Sequence, residues 1–132
     1  MISLPSLRDL DRVPSVRSGG EACRIWLCVA PIDMRLGFDR LAELASAVTG
    51  ENPLSGHLFA FRSRGGDRLK LLYWDKDGLA LWYKRLEEGT FKLPRIEGEA
   101  KSVELRGSDL AMMLDGIDLR SIKRVKRYQS KK

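Results

Sequence analysis

Leu69 to Phe91 reads LKLLYWDKDGLALWYKRLEEGTF. Two aromatic-rich runs flank the short polar stretch Asp75-Lys76-Asp77-Gly78, which has the chemistry of a tight hairpin turn, with Gly78 able to take a positive φ. Side chains alternate across a strand. In 68–74, Leu69, Leu71 and Tyr73 therefore share one side, and Lys70, Leu72 and Trp74 the other. In 79–86, Leu79, Leu81 and Tyr83 fall together, opposite Ala80, Trp82, Lys84 and Leu86. Neither side is cleanly polar. That pattern suits a strand pair covered on both faces, with Leu71, Leu72, Trp74, Gly78, Leu81 and Trp82 as its structural centre. A second reading stays open: Trp74 and Trp82 stacking on bases while Lys70, Lys84 and Arg85 hold phosphates. Burial of the tryptophans decides between the two.

Outward from this hairpin the periodicity changes several times. Residues 24–30 are apolar and β-prone and stop at Pro31, which predicts a first strand. Phe38, Leu41, Leu44, Ala45 and Val48 recur at helical spacing, with Asp33 as N-cap and Gly50 as stop. Residues 57–62 alternate as a strand, a Gly-rich connection follows, and 90–93 and 101–106 read as further short strands. Ser108 is placed to cap a short helix carrying Leu110, Met113, Leu114 and Ile117, with Gly116 near its end. Consecutive strands with short turns predict an α+β domain: an antiparallel sheet of about five strands with two helices packed on it. It should span 23–118, between a flexible N-terminal lead over 1–22 and a basic tail over 119–132.

The chain has 132 residues, 43% hydrophobic and 32% charged, as expected of a globular domain with its own core. No apolar run approaches the about 18 residues of a membrane span, and the polar, Pro- and Gly-broken start lacks the apolar core of a secretory signal. A zinc site needs four Cys/His ligands, or three plus water. Cys23, Cys28 and His57 are the three candidates and nothing in the sequence brings them together, so buried reduced thiols and a cytoplasmic location are expected, with no metal and no cofactor.

The charge is uneven. Up to Asp118 there are 17 basic and 18 acidic residues; beyond it stand seven basic residues and no acidic one. The net +6 is thus a property of the tail. There Leu119, Ile122, Val125 and Tyr128 recur every third residue, with Arg120, Lys123, Arg124, Lys126 and Arg127 between them. This pattern fits an amphipathic basic segment that meets a polyanion, or a merely solvated tail. Acidic residues do not cluster as a two-metal nuclease requires: Asp33 reads as a cap, Asp75 and Asp77 as turn residues, Glu87 and Glu88 as solvated charges. Nor is there a nucleophile-and-base pattern or a phosphate loop.

The stretches PIDMRLGFDRL (31–41) and SGHLFAFRSRGGDRLKLLYWDKDGLALWYKRLEEGTFKLP (55–94) closely resemble the TnpB-like accessory protein, the second-frame product, of the insertion-sequence-66 family of bacterial transposons. LRGSDLAMMLDGIDL (105–119) continues the likeness more loosely. Leu36 and Arg40 stand where that family often has Lys and Gly, and Gly65-Gly66 replace more basic positions. The resemblance implies a non-enzymatic role in DNA transposition beside a separate transposase that carries the acidic catalytic residues. Transposon DNA, the transposase, or both are the implied partners. For DNA, the candidate contacts are the tail cations together with Arg62, Arg64, Arg68, Lys70, Lys84 and Arg85. The alternatives are a pure protein-interaction module without DNA contact and, further off, a metal-dependent nuclease.

Overall fold

The computed structural model describes residues 23–116. They form one α+β domain: a five-stranded sheet in the order β4-β3-β2-β1-β5, with two helices. Strand β1 is Ile25–Ile32, helix α1 Phe38–Thr49, β2 Leu58–Ser63, β3 Arg68–Asp75, β4 Gly78–Arg85, β5 Ser102–Leu105 and helix α2 Gly107–Leu114. The predicted lead, the tail and Ile117 lie outside the described residues.

The hairpin is as read. Leu71 pairs with Trp82 and Leu72 with Leu81, in a ladder closed by Asp75 and Gly78. Its two-residue turn is Lys76-Asp77, and Lys76, not Gly78, takes the left-handed conformation, at φ 64°. Gly78 instead serves as the first residue of β4. Period-two sorting then produces two cores. On one face Leu27, Leu58, Ala60, Leu69, Leu71 and Trp82 pack with Leu110, Met113 and Leu114 of α2. On the other, Cys28, Phe59, Phe61 and Leu72 pack with Leu41 and Ala45 of α1. Trp82 is 6% exposed, whereas Trp74 and Leu81 are half-buried.

The expected purely antiparallel sheet is corrected at one pair. β2–β3, β3–β4 and β1–β5 are antiparallel, but β1 and β2 run parallel, Ile25 opposite Leu58 through Cys28 opposite Phe61. The cause is α1. A helical crossover returns the chain to the end where β1 began, and two strands so joined must point the same way. β1 also runs past the expected stop at Pro31. Its pairing with β2 shifts between Cys28 and Ile32, and a proline, lacking an N–H, is tolerated in such an irregular stretch.

Both predicted N-caps move. Asp33 does not cap α1, whose N-cap is Gly37. Its carboxylate instead accepts from the Arg35 backbone N–H (2.9 Å) and from the Arg35 guanidinium (2.7 Å), and its carbonyl accepts from Leu36 N–H, closing a turn one step before the helix. Ser108 lies inside α2, which starts after Arg106. There the Asp109 carboxylate reaches back to the Arg106 N–H at 3.2 Å, satisfying a donor and placing negative charge on the helix N-terminus. Gly50 ends α1 as expected, at φ 78° with its N–H on the Ser46 carbonyl. Phe38, counted with the apolar face of α1, is 47% exposed because it starts the helix at the margin of the sheet.

β4 and β5 are the two edges, so residues 86–101 must carry the chain from one side of the sheet to the other. They cross on the α2 face as a strap. No strand forms at 90–93; Phe91 alone is fully buried, and its N–H donates to the Gly66 carbonyl at 2.8 Å. With Leu86 N–H on the Asp67 carbonyl (2.8 Å) and Val29 N–H on the Lys101 carbonyl (3.0 Å) fixing its two ends, the buried aromatic holds the middle of the strap without a ladder.

Because Trp82 faces Leu71 inside the first core, Trp82→Ala should lower unfolding free energy by about 3–5 kcal/mol. Half-buried Trp74→Ala should cost about 1–2 kcal/mol. Urea denaturation followed by far-ultraviolet circular dichroism measures both, and equal losses would contradict the assignment of Trp82 as the core residue.

Candidate nucleic-acid interface

The ladder register decides which hairpin cations can act together. Arg68 lies opposite Arg85, and Lys70 opposite Tyr83, so these four share the α1 face. Arg62 lies opposite Leu69, and Lys84 is also paired with Leu69, which puts Arg62 and Lys84 on the α2 face. The six cations named from sequence are therefore split between two sides of the sheet, with Arg64 on the turn that joins β2 to β3.

Lys70 stands apart from the others. It is 6% exposed, and its Nζ donates to the carbonyls of Met34 (2.7 Å) and Leu36 (2.9 Å) while lying 4.8 Å from the centre of the Tyr83 ring. Burial lowers its pKa and nearby Asp33 opposes that shift. An ammonium placed this way holds the turn that leads into α1 and has little surface left for an outside phosphate.

Arg68 and Arg85 are more open. Arg68 is half-buried, its guanidinium 3.4 Å from the Tyr83 hydroxyl. Arg85 is exposed and, among the described residues, pairs with Glu87, itself exposed, at 3.3 Å, a pairing of little strength in water. Two like charges directly opposite on a ladder repel. Arg64, exposed, sits on the turn at the same end of the sheet. That turn is rigidly made: Gly66 N–H donates to the Ser63 carbonyl at 3.0 Å, and the Ser63 hydroxyl accepts from Arg68 N–H at 3.1 Å. Gly66 has φ +83°, and a Cβ there would come within 3.2 Å of Thr90 in the strap, so both conformation and space call for glycine. The site is an exposed cationic corner built from Arg64, Arg68 and Arg85, able to neutralise phosphates on a firm backbone.

The remaining candidates fall elsewhere. Arg120, Lys123, Arg124, Lys126 and Arg127 lie outside the described residues. His57 is engaged, its Nδ1 accepting from Arg24 N–H at 3.1 Å and its Nε2 lying 3.5 Å from Glu51. Cys28 is buried, which pushes its thiol up to about 12, and Cys23 is half-buried. Among the described residues no three His, Cys, Asp or Glu side chains gather where they could hold a metal, and no helix is long and apolar enough to cross a membrane. The strap brings in two cations that sequence reading passed over, Lys92 and Arg95. Lys92 fell in the short strand expected at 90–93, which does not form, and Arg95 lies beyond it, so neither was singled out.

Residues 23–124 match the family model described as IS66 Orf2 like protein. Two proteins of Sinorhizobium fredii (strain NBRC 101917 / NGR234) are similar. Uncharacterized protein y4hO is 41% identical over 101 residues, 76% of this chain and 86% of that one. Uncharacterized protein y4jC is 33% identical over 101 residues, covering 76% and 85%. No solved structure matches.

Two measurements check the electrostatics of this face. Lys70→Met should leave the Met34 and Leu36 carbonyls unsatisfied, cost about 1–3 kcal/mol, and speed amide exchange over 34–41. The Arg35 guanidinium and N–H hold the Asp33 carboxyl at about 2, below its ordinary 3.8. Its stabilising share is thus fully present above 3.8 and lost as pH falls through about 2. A carboxyl-carbon titration by nuclear magnetic resonance should show that low midpoint, and Arg35→Ala should move it upward.

Proposed function

The chain belongs to the family of IS66 Orf2-like proteins, accessory proteins of transposable elements, and from that premise we propose that it serves transposition by binding the element's DNA. On this reading the protein supplies no bond-breaking chemistry. A separate transposase cuts and joins, while this chain grips the phosphate backbone and brings the two together. The observation that carries the reading is the corner of Arg64, Arg68 and Arg85. Arg68 and Arg85 are set opposite each other at a cost that a bridging phosphate removes; among the described residues the one carboxylate in ion-pair range of them is the exposed Glu87, while the neighbouring Asp67 carboxylate accepts from the Ser63 hydroxyl. The seven basic residues after Asp118 extend the same chemistry. Such contacts position a protein on DNA without reading its sequence, because phosphates are the same at every step.

Salt dependence tests this reading. With about four of the seven tail cations on phosphates, the tail contributes about −3.6 to the slope of log K against log salt, at roughly −0.9 per phosphate. Deleting 120–132 should remove that contribution and lower affinity more than about tenfold at moderate salt. In the full chain, Arg68→Gln with Arg85→Gln should flatten the slope by up to about 1.8. Fluorescence anisotropy with transposon-end DNA reads both. Unchanged slopes in the truncated and the substituted chains would sink the proposal, and absence of binding even at low salt would favour a pure protein-interaction module.

A further inference from the structure

On the sheet face away from Arg68 and Arg85, the strap and β2 enclose a groove of about 710 Å³ lined by Arg62 and residues 90–98. Arg62, Lys92 and Arg95 bring three positive charges to it, against the single carboxylate of Glu97. Leu93, Pro94 and Ile96 are half-buried and give it an apolar wall.

Arg62 is the unusual member. It is half-buried on β2, and burial lowers its pKa. Its Nη1 donates to the Phe91 carbonyl at 3.0 Å. Lys92 reaches only the Thr90 hydroxyl, at 3.4 Å. Among the described residues, no carboxylate lies within the 4.0 Å of an ion pair from Arg62, Lys92 or Arg95. A partly desolvated guanidinium without a counter-charge is costly. The fold nonetheless makes room for it: a Cβ on Gly66 would come within 3.1 Å of Arg62 Nη1.

We propose that this groove is a docking site for an extended acidic segment of a partner protein. Carboxylates of the segment meet Arg62, Lys92 and Arg95, and its aliphatic side chains lie on Leu93, Pro94 and Ile96. Guanidinium and carboxylate match as planar two-bond partners. Two features favour a peptide over a nucleic-acid strand. The groove offers no exposed aromatic on which bases could stack, since Phe91 is fully buried. Glu97 repels phosphates, yet it can accept from the N–H groups that a peptide backbone carries and a phosphodiester lacks. The assignment is independent of the DNA reading, because the groove and the arginine corner lie on opposite faces.

The full chain, labelled with nitrogen-15, is titrated with three probes: a capped peptide alternating glutamate and leucine, its glutamine isostere, and an oligothymidine of similar length. The glutamate peptide should shift the amides of 90–98 and the Arg62 side chain saturably, and the glutamine peptide should not. Arg62→Met should weaken the glutamate peptide about tenfold or more. Thermal melting checks that this variant folds. Lys92→Glu with Arg95→Glu, both replaced at the groove's open positions, gives the same test without touching β2. Shifts at 90–98 caused by oligothymidine and not by the acidic peptide would make this a nucleic-acid groove and overturn the assignment. So would silence from every probe, or peptide binding undiminished in both variants.

Discussion

Leu71 and Leu72 are consecutive, point to opposite sides of β3, and are both fully buried. The rest of the domain follows from that constraint. A strand with no face left for water needs a cover on each side. Helix α1 supplies one; helix α2 and the strap supply the other. The same constraint disposes of the charges carried by the hairpin. Lys70 is drawn into the α1 side and must find two carbonyls there, whereas Arg68 and Arg85 emerge where the cover ends. The tryptophans divide in the same way: Trp82 is core, and Trp74, near the turn, is half-buried.

Legibility in the sequence tracked the range of the interaction. The β3–β4 pair was readable because turn and alternation lie within one short stretch, and the apolar face of α1 because its spacing is local. The parallel β1–β2 pair was not. Residues 24–30 and 57–62 look alike in composition whichever way they pair, and their direction is set by a crossover that no single segment encodes. The misplaced caps share a cause. Asp33 and Ser108 are both capable caps by residue type, and which residue flanks the first helical turn depended on where the chain turned. The cationic corner was half legible. Arg64, Arg68 and Arg85 were named, but alternation within one strand could not put Arg62 on the opposite face from Arg68; that needs the cross-strand register with Leu69. Lys92 and Arg95 lie in the strap, where the short strand read at 90–93 does not form.

The two charged features answer different chemical needs. At the corner, exposed Arg64 and Arg85 stand with half-buried Arg68, an arrangement that suits a polyanion whose contacts are numerous and individually weak. In the groove, one guanidinium is partly withdrawn from water and fixed by a carbonyl, so a ligand there must be shaped as well as charged. On the two proposals, one domain would present a general grip on one face and a selective one on the other, with the buried sheet between them.

The strap also sets a timetable. The β3–β4 hairpin closes over two residues and belongs to the class of events completed in about microseconds. Ile25 and Leu105, by contrast, are neighbours in the sheet but 80 residues apart in the chain. During synthesis β1 emerges first and waits for its β5 partner until nearly the whole domain has left the ribosome. Closing that distance carries a larger loop-closure cost than closing the hairpin. The β1–β5 edge is thus a highly non-local pairing of the sheet, the kind of contact that slows folding.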